Sequence, residues 1–223
     1  MELINKRHRR VRAGLAFSRD GSDERARGSE RVSIKNWEMK LIVNIRGMTQ
    51  QEHARLESID AVLRSETVRQ QILPIIERVR AKLARKKEAL MTWEPIPLTV
   101  FGRTLPAEIR SAWVFVLRAG ADTGPERHPN SHQRMMTFEG SGDMQTGEPG
   151  QWQSNVLVSD PDAPLEQRWI SIPQNVWHRP VVGAGADWTV VSFHTVPAGE
   201  LIEEKPDDNS QDGTKQMKYL DRK

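Results

Sequence analysis

Gly120-Ala-Asp-Thr-Gly-Pro-Glu126-Arg-His128-Pro-Asn-Ser-His132, followed some forty residues later by Ile172-Pro-Gln-Asn-Val-Trp-His178, gathers four potential metal ligands into two short, turn-flanked segments. The whole chain of 223 residues holds 6 histidines, so half of them fall in these two segments. Glu126 and His128 are two positions apart and His132 is four further on. On extended backbone all three side chains share one face of a sheet. His178 joins them only where a second strand runs beside the first, as in a closed barrel. Imidazole nitrogens with one carboxylate suit iron, manganese, nickel, copper or zinc. The chain has no cysteine, which excludes thiolate sites and a disulfide framework.

The same residues resemble the cupins. In that family's first motif a Gly is followed after five residues by His-x-His, after three or four more by Glu, and after about six by Gly. Here Gly120 is followed by five residues, then Glu126-x-His128, three residues, His132, and Gly140 in Phe138-Glu-Gly-Ser-Gly142. The ligand types are permuted: Glu126 stands in the slot of the first His, and His132 in that of the Glu. The second cupin motif is matched by Pro173-x-Asn175-x-x-His178, where Asn175 replaces a Gly. Asn is the next best residue for a left-handed turn. Val182 stands where the family's final Asn falls, and the Gly ahead of Pro173 is missing.

The resemblance covers roughly residues 95 to 205 and implies a mainly β fold, a cupin-like antiparallel β-barrel (double-stranded β-helix), here preceded by an α-helical segment. It implies one divalent metal ion on Glu126, His128, His132 and His178, with Fe(II) preferred and Mn, Ni or Zn as alternatives. A three-histidine site with Glu126 behind it is the fallback. Cupins commonly pair, so a homodimer is expected.

The pattern elsewhere supports that division. From Lys6 to Arg31 the chain is crowded with arginine and has little to build a core from, and residues 1–38 read as a disordered basic segment. Thr49-x-x-Glu52 is a capping box and Leu56, Ile59 and Leu63 follow at helical spacing. A second stripe, Ile72, Ile76, Val79 and Leu83, continues it with a kink expected at Pro74, giving a helical segment over 49–92. From 93 to 205 short apolar runs with Pro and Gly punctuation read as strands: Leu98–Phe101, Ala112–Leu117, Arg134–Phe138, Trp152–Val158, Arg168–Ile172 and Trp188–Thr195. Gly183–Asp187 is expected to turn a hairpin, and residues 206–223 revert to a polar tail in which Met217, Tyr219 and Leu220 can dock.

Alternation from His132 places Arg134, Met136 and Phe138 on the ion's face, making Arg134 the substrate-binding residue and a small anionic organic molecule the substrate class. These readings point to a non-haem iron dioxygenase, with isomerase or decarboxylase chemistry expected for the other metals. The catalytic acid or base is not assigned. A non-catalytic metal- or ligand-binding cupin, a sensor or interaction module, is the alternative. The basic face Arg78, Arg80, Lys82, Arg85, Lys86 and Lys87 is broken by Glu77 and Glu88 and reads as solvated, so no nucleic-acid partner is expected. No apolar run approaches the ~20 residues of a membrane span and the opening residues lack a signal's apolar core. A cytoplasmic location follows by default.

Overall fold

The computed structural model describes residues 48–210 and 213–221; the basic segment 1–38 lies outside them. Two helices open this part of the chain, α1 (Gln50–Arg64) and α2 (Glu66–Arg85). The Thr49 side chain accepts from the Glu52 amide, as the capping box requires. Leu56, Ile59 and Leu63 of α1 and Ile72, Ile76, Val79 and Leu83 of α2 are buried, so the two stripes read from spacing are the packed faces. Pro74 lies inside α2 without ending it.

The rest is mainly β. Five strands form one antiparallel sheet in the order β1 (Met91–Ile96), β2 (Ser111–Leu117), β9 (Trp188–His194), β3 (Gln133–Glu139) and β7 (Trp169–Ile172). A second sheet is built on β4 (Ser141–Glu148), which pairs with β5 (Gln151–Gln153), β6 (Val156–Val158) and β8 (His178–Val181). A four-residue helix, α3 (Leu165–Arg168), leads into β7, and a hairpin of β10 (Ile202–Pro206) and β11 (Thr214–Lys218) follows. This antiparallel, two-sheet barrel behind a helical segment is the architecture that the cupin resemblance implies.

Side chains on the two faces of the five-stranded sheet belong to different cores. Ala112, Val114, Val116, Met136, Phe138, Val191 and Phe193 pack with the stripes of α1 and α2, whereas Trp113, Phe115, Met135, Val190 and Trp188 pack inside the barrel. Two buried ion pairs tie α1 to the outer face: Glu52 with Arg134 and Asp60 with Arg168, the Asp60 carboxylate also accepting from Trp169 Nε1 at 2.8 Å.

Several sequence expectations are corrected. Leu98–Phe101 is a short 3-10 helix, set between Pro97 and Gly102, the latter at φ 64. Gly183–Asp187 closes no hairpin, and neither does Glu139-Gly-Ser. Each carries the chain from one sheet to the other, since β3 and β4 do not pair and neither do β8 and β9. Residues 214–218, read as polar tail, form β11, and Tyr219 is buried in the barrel core.

Candidate metal centre

The stretch from Ala121 to His128 runs beside β8. Glu126 and His178 face each other as a closely bonded antiparallel pair, exchanging both backbone bonds (Glu126 N–H to His178 O and His178 N–H to Glu126 O, 2.8 Å each). Opposed residues project to the same face of a ladder, so their side chains meet. His128, two residues past Glu126, returns to that face. Asn175, at φ 64, is the sole non-glycine residue with positive φ among those described. It lies in the turn that sets β8 on course, and the Asn175 amide donates to the His128 carbonyl at 3.2 Å.

Glu126, His128 and His178 thereby bring one potential ligand atom each to within 4.8 Å of one another, and all three residues are buried. The rings of His128 and His178 are 5.3 Å apart between centroids. His178 Nε2 lies 3.8 Å from a Glu126 carboxylate oxygen. Both imidazoles are fixed from behind by backbone carbonyls: His128 Nδ1 donates to Ile202 O at 2.9 Å and His178 Nδ1 to Val176 O at 3.0 Å. A carbonyl accepts only, so the proton sits on Nδ1 and each Nε2 carries a lone pair. Burial, reinforced by the mutual repulsion of the two rings, lowers His128 to about 3, and burial lowers His178 to about 4. Both are therefore neutral at pH 7, the form that ligates a metal.

His178 Nε2 is buried and has no hydrogen-bond partner. An orphaned acceptor of this kind is costly unless something binds it. Two neutral nitrogens and a carboxylate are also the donor set of the facial triad that holds non-haem iron with positions left open. The residues present therefore fit one divalent ion.

The structure takes the other two predicted residues elsewhere. The turn at Pro129-Asn130 interrupts the extended backbone, so the parity of Glu126 and His128 does not carry on to His132. His132 faces α1, with Nε2 2.6 Å from Ser171 Oγ and 3.6 Å from Glu52. Arg134 follows it to the outer face, where its Nε and Nη2 bond the two Glu52 oxygens at 2.6 and 2.9 Å. Burial alone raises the Glu52 carboxyl, but the bonds from Arg134 and Ser171 outweigh it and hold Glu52 at about 2. Gln133, Met135 and Thr137 are the β3 residues that point into the barrel. A cavity of about 480 Å³ beside this outer cluster is lined by Glu52, Arg55, His132, Ser171, Asn155 and Trp169 among others, and by none of Glu126, His128 and His178.

Four further groups surround the centre, of which Glu203 and Lys205 escaped the sequence reading. His194, on β9, packs edge-on against His128 with 5.0 Å between ring centroids, and its nitrogens face Ser131 Oγ at 3.2 Å and Ser192 Oγ at 3.1 Å. Its burial, with His128 nearby, keeps it neutral. Tyr219 closes an aromatic wall with Trp93, Trp113 and Phe115, and its ring lies 6.3 Å from that of His128. Glu203 is fully buried and holds Lys205 Nζ at 3.0 Å. His194 closes an apolar run and the other three lie in or beside a polar tail. Only alternation along an unforeseen β10 could have flagged Glu203 and Lys205.

No protein-family model matches the sequence, and no curated protein does. Among solved structures the chain is similar to the capsular polysaccharide assembling protein CapF from Staphylococcus aureus, at 12% identity over 57% of this chain and 32% of that one, with a TM-score of 0.38. It is similar to KdgF from Halomonas sp. at 12% identity, over 48% of this chain and 82% of that one, TM-score 0.35. The oxalate decarboxylase of Lactobacillus farciminis gives 14% identity, 48% and 29% coverage and a TM-score of 0.37. The chain thus spans about a third of the CapF chain. Fold and site define a β-barrel protein with a buried cluster of two histidines and one carboxylate. Among the described residues no helix is long and apolar enough to cross a membrane.

Proposed function

We propose that the barrel binds one divalent metal ion on Glu126, His128 and His178, with Fe(II) preferred, and that the protein is a non-haem iron dioxygenase acting on a small anionic organic molecule. The observation that carries this reading is the pair of imidazoles locked through Nδ1 to backbone carbonyls with His178 Nε2 left without a partner. When bound, the ion would supply Lewis acidity and one-electron chemistry toward dioxygen. The protein's own part is orientation and shielding. Ile202 and Val176 aim the rings, Glu126 contributes one negative charge, and Trp93, Trp113, Phe115 and Tyr219 keep water from one side of the centre. His194, held between two serine hydroxyls, is placed to pass a proton along Ser131 and Ser192 without entering the ligand set.

A second reading is favoured by the 480 Å³ cavity, whose lining includes Glu52 and His132 and, of the residues around the centre, Val176 and Thr146 but none of the three ligands. In it the ion holds the barrel together and a ligand binds beside α1, as in a sensor or interaction module. Oxygen consumption separates the two. Iron-loaded protein screened against organic acids in an oxygen electrode is expected to consume oxygen with one of them, in a manner abolished by His178→Ala. Stoichiometric iron with no uptake across the screen supports the second reading.

A further inference from the structure

The strand β10 lies against the ligand-bearing segment through a second closely bonded pair: the Arg127 amide donates to Glu204 O at 3.0 Å and the Glu204 amide to Arg127 O at 2.9 Å. Side chains alternate along a strand. Glu204 turns to the side of Arg127 and bonds its guanidinium, so Glu203 and Lys205 turn to the side of Glu126, His128 and His178. Lys205 Nζ is 3.0 Å from Glu203 and 3.9 Å from the Glu126 carboxylate. Glu203 is closed to solvent and Glu126 nearly so, but the Lys205 side chain keeps 29% of its surface exposed. It is the member of the group that reaches outward.

Three buried or half-buried arginines of the fold are committed elsewhere. Arg134 and Arg168 are each spread over both oxygens of a buried carboxylate, and Arg127 is bonded to Glu204 and stacked over Trp177. An ammonium carries three donors on a flexible stem, and one of Lys205's is used at bonding distance. The charges point the same way. Two carboxylates, one ammonium and two neutral imidazoles sum to −1; a divalent ion makes the group +1, which one monoanion would neutralise.

We propose that Lys205 is the anion-binding residue of the centre, taking the carboxylate of a small organic acid beside the ion. This rests on the metal reading above and fills the role that the sequence assigns to Arg134. The test uses the full chain loaded with Co(II), whose visible absorption reports on the ligands, titrated with acetate. Lys205→Met alone removes an ammonium from beside the buried Glu203, so the double variant Glu203→Gln, Lys205→Met is made alongside, with Lys205→Arg as the conservative exchange. Expected is wild-type cobalt stoichiometry in all, acetate affinity reduced about tenfold or more in both Met variants, the size of one charge-assisted hydrogen bond, and near-wild-type affinity with Arg. Full cobalt content with unchanged acetate affinity in either Met variant, or a wild-type spectrum indifferent to acetate, overturns the role of Lys205 alone. Failure of the wild type to take up cobalt overturns the metal reading and this inference with it.

Discussion

At the scale of single residues, His128 and His132 show how four positions of sequence can separate two roles. One turns into the barrel against His178, the other bonds Ser171 and Glu52 outside it. His178→Ala is therefore expected to remove metal uptake, whereas His132→Ala should leave it intact, as read by bound metal after desalting; loss in both would return His132 to the ligand set. Glu52 and Arg134 form a desolvated pair, and removing one charge strands the other. Glu52→Gln is expected to cost about 3–5 kcal/mol in urea unfolding with no loss of metal content. A cost near zero would mean that α1 is not anchored there.

Among elements, what was legible in the sequence was what rests on local pattern. The capping box and the spaced apolar stripes give α1 and α2, the longer apolar runs give β2, β3, β7 and β9, and Asn175 signals its left-handed turn by replacing a glycine. Strand parity across Pro129-Asn130 was not legible, because a turn resets which face a residue meets, and this moved His132 and Arg134 out of the barrel. Nor was the polar pairing of β10 with β11, whose register depends on a backbone ladder and on one buried ring, Tyr219. Tyr219→Ala should destabilise by about 3–5 kcal/mol, as for other large buried aromatics, and an unchanged melting curve would restore the reading of residues 206–223 as tail. Gly140 is at φ 78, and a Cβ there would meet the Asp187 carbonyl oxygen at 2.5 Å. Gly140→Ala is expected to lower stability by about 1–3 kcal/mol, since the corner between the two sheets has no slack for it.

Taken as a whole, the described chain sets two neutral imidazoles beside the Glu126 carboxylate inside an apolar and aromatic barrel and puts the Glu52–Arg134 and Asp60–Arg168 pairs on the helical face. That division makes acid sensitivity specific. The folded pKa values of His128 and His178 lie below the ordinary 6.5, at about 3 and 4, so the unfolded chain binds more protons in the interval between. The contribution of these two groups to the stability of the metal-free protein is full above pH 6.5 and is lost as pH falls from 6.5 through about 4 and 3. Glu52 adds to this at lower pH, its contribution being lost as pH falls from 4.5 through about 2. Urea titrations of chelator-treated protein at pH 7.5 and 5 should show a lower midpoint at pH 5, and His178→Ala should flatten the difference.

The most direct measurement is the metal content, by plasma mass spectrometry, of untagged protein purified without chelator, beside His128→Ala, His178→Ala and His132→Ala variants of verified fold. The geometry predicts about one equivalent of a divalent transition metal, preferably iron, in the wild type and in His132→Ala, and none in the other two. A wild-type protein that neither carries nor takes up such an ion, or one that keeps its full complement without His178, would contradict it.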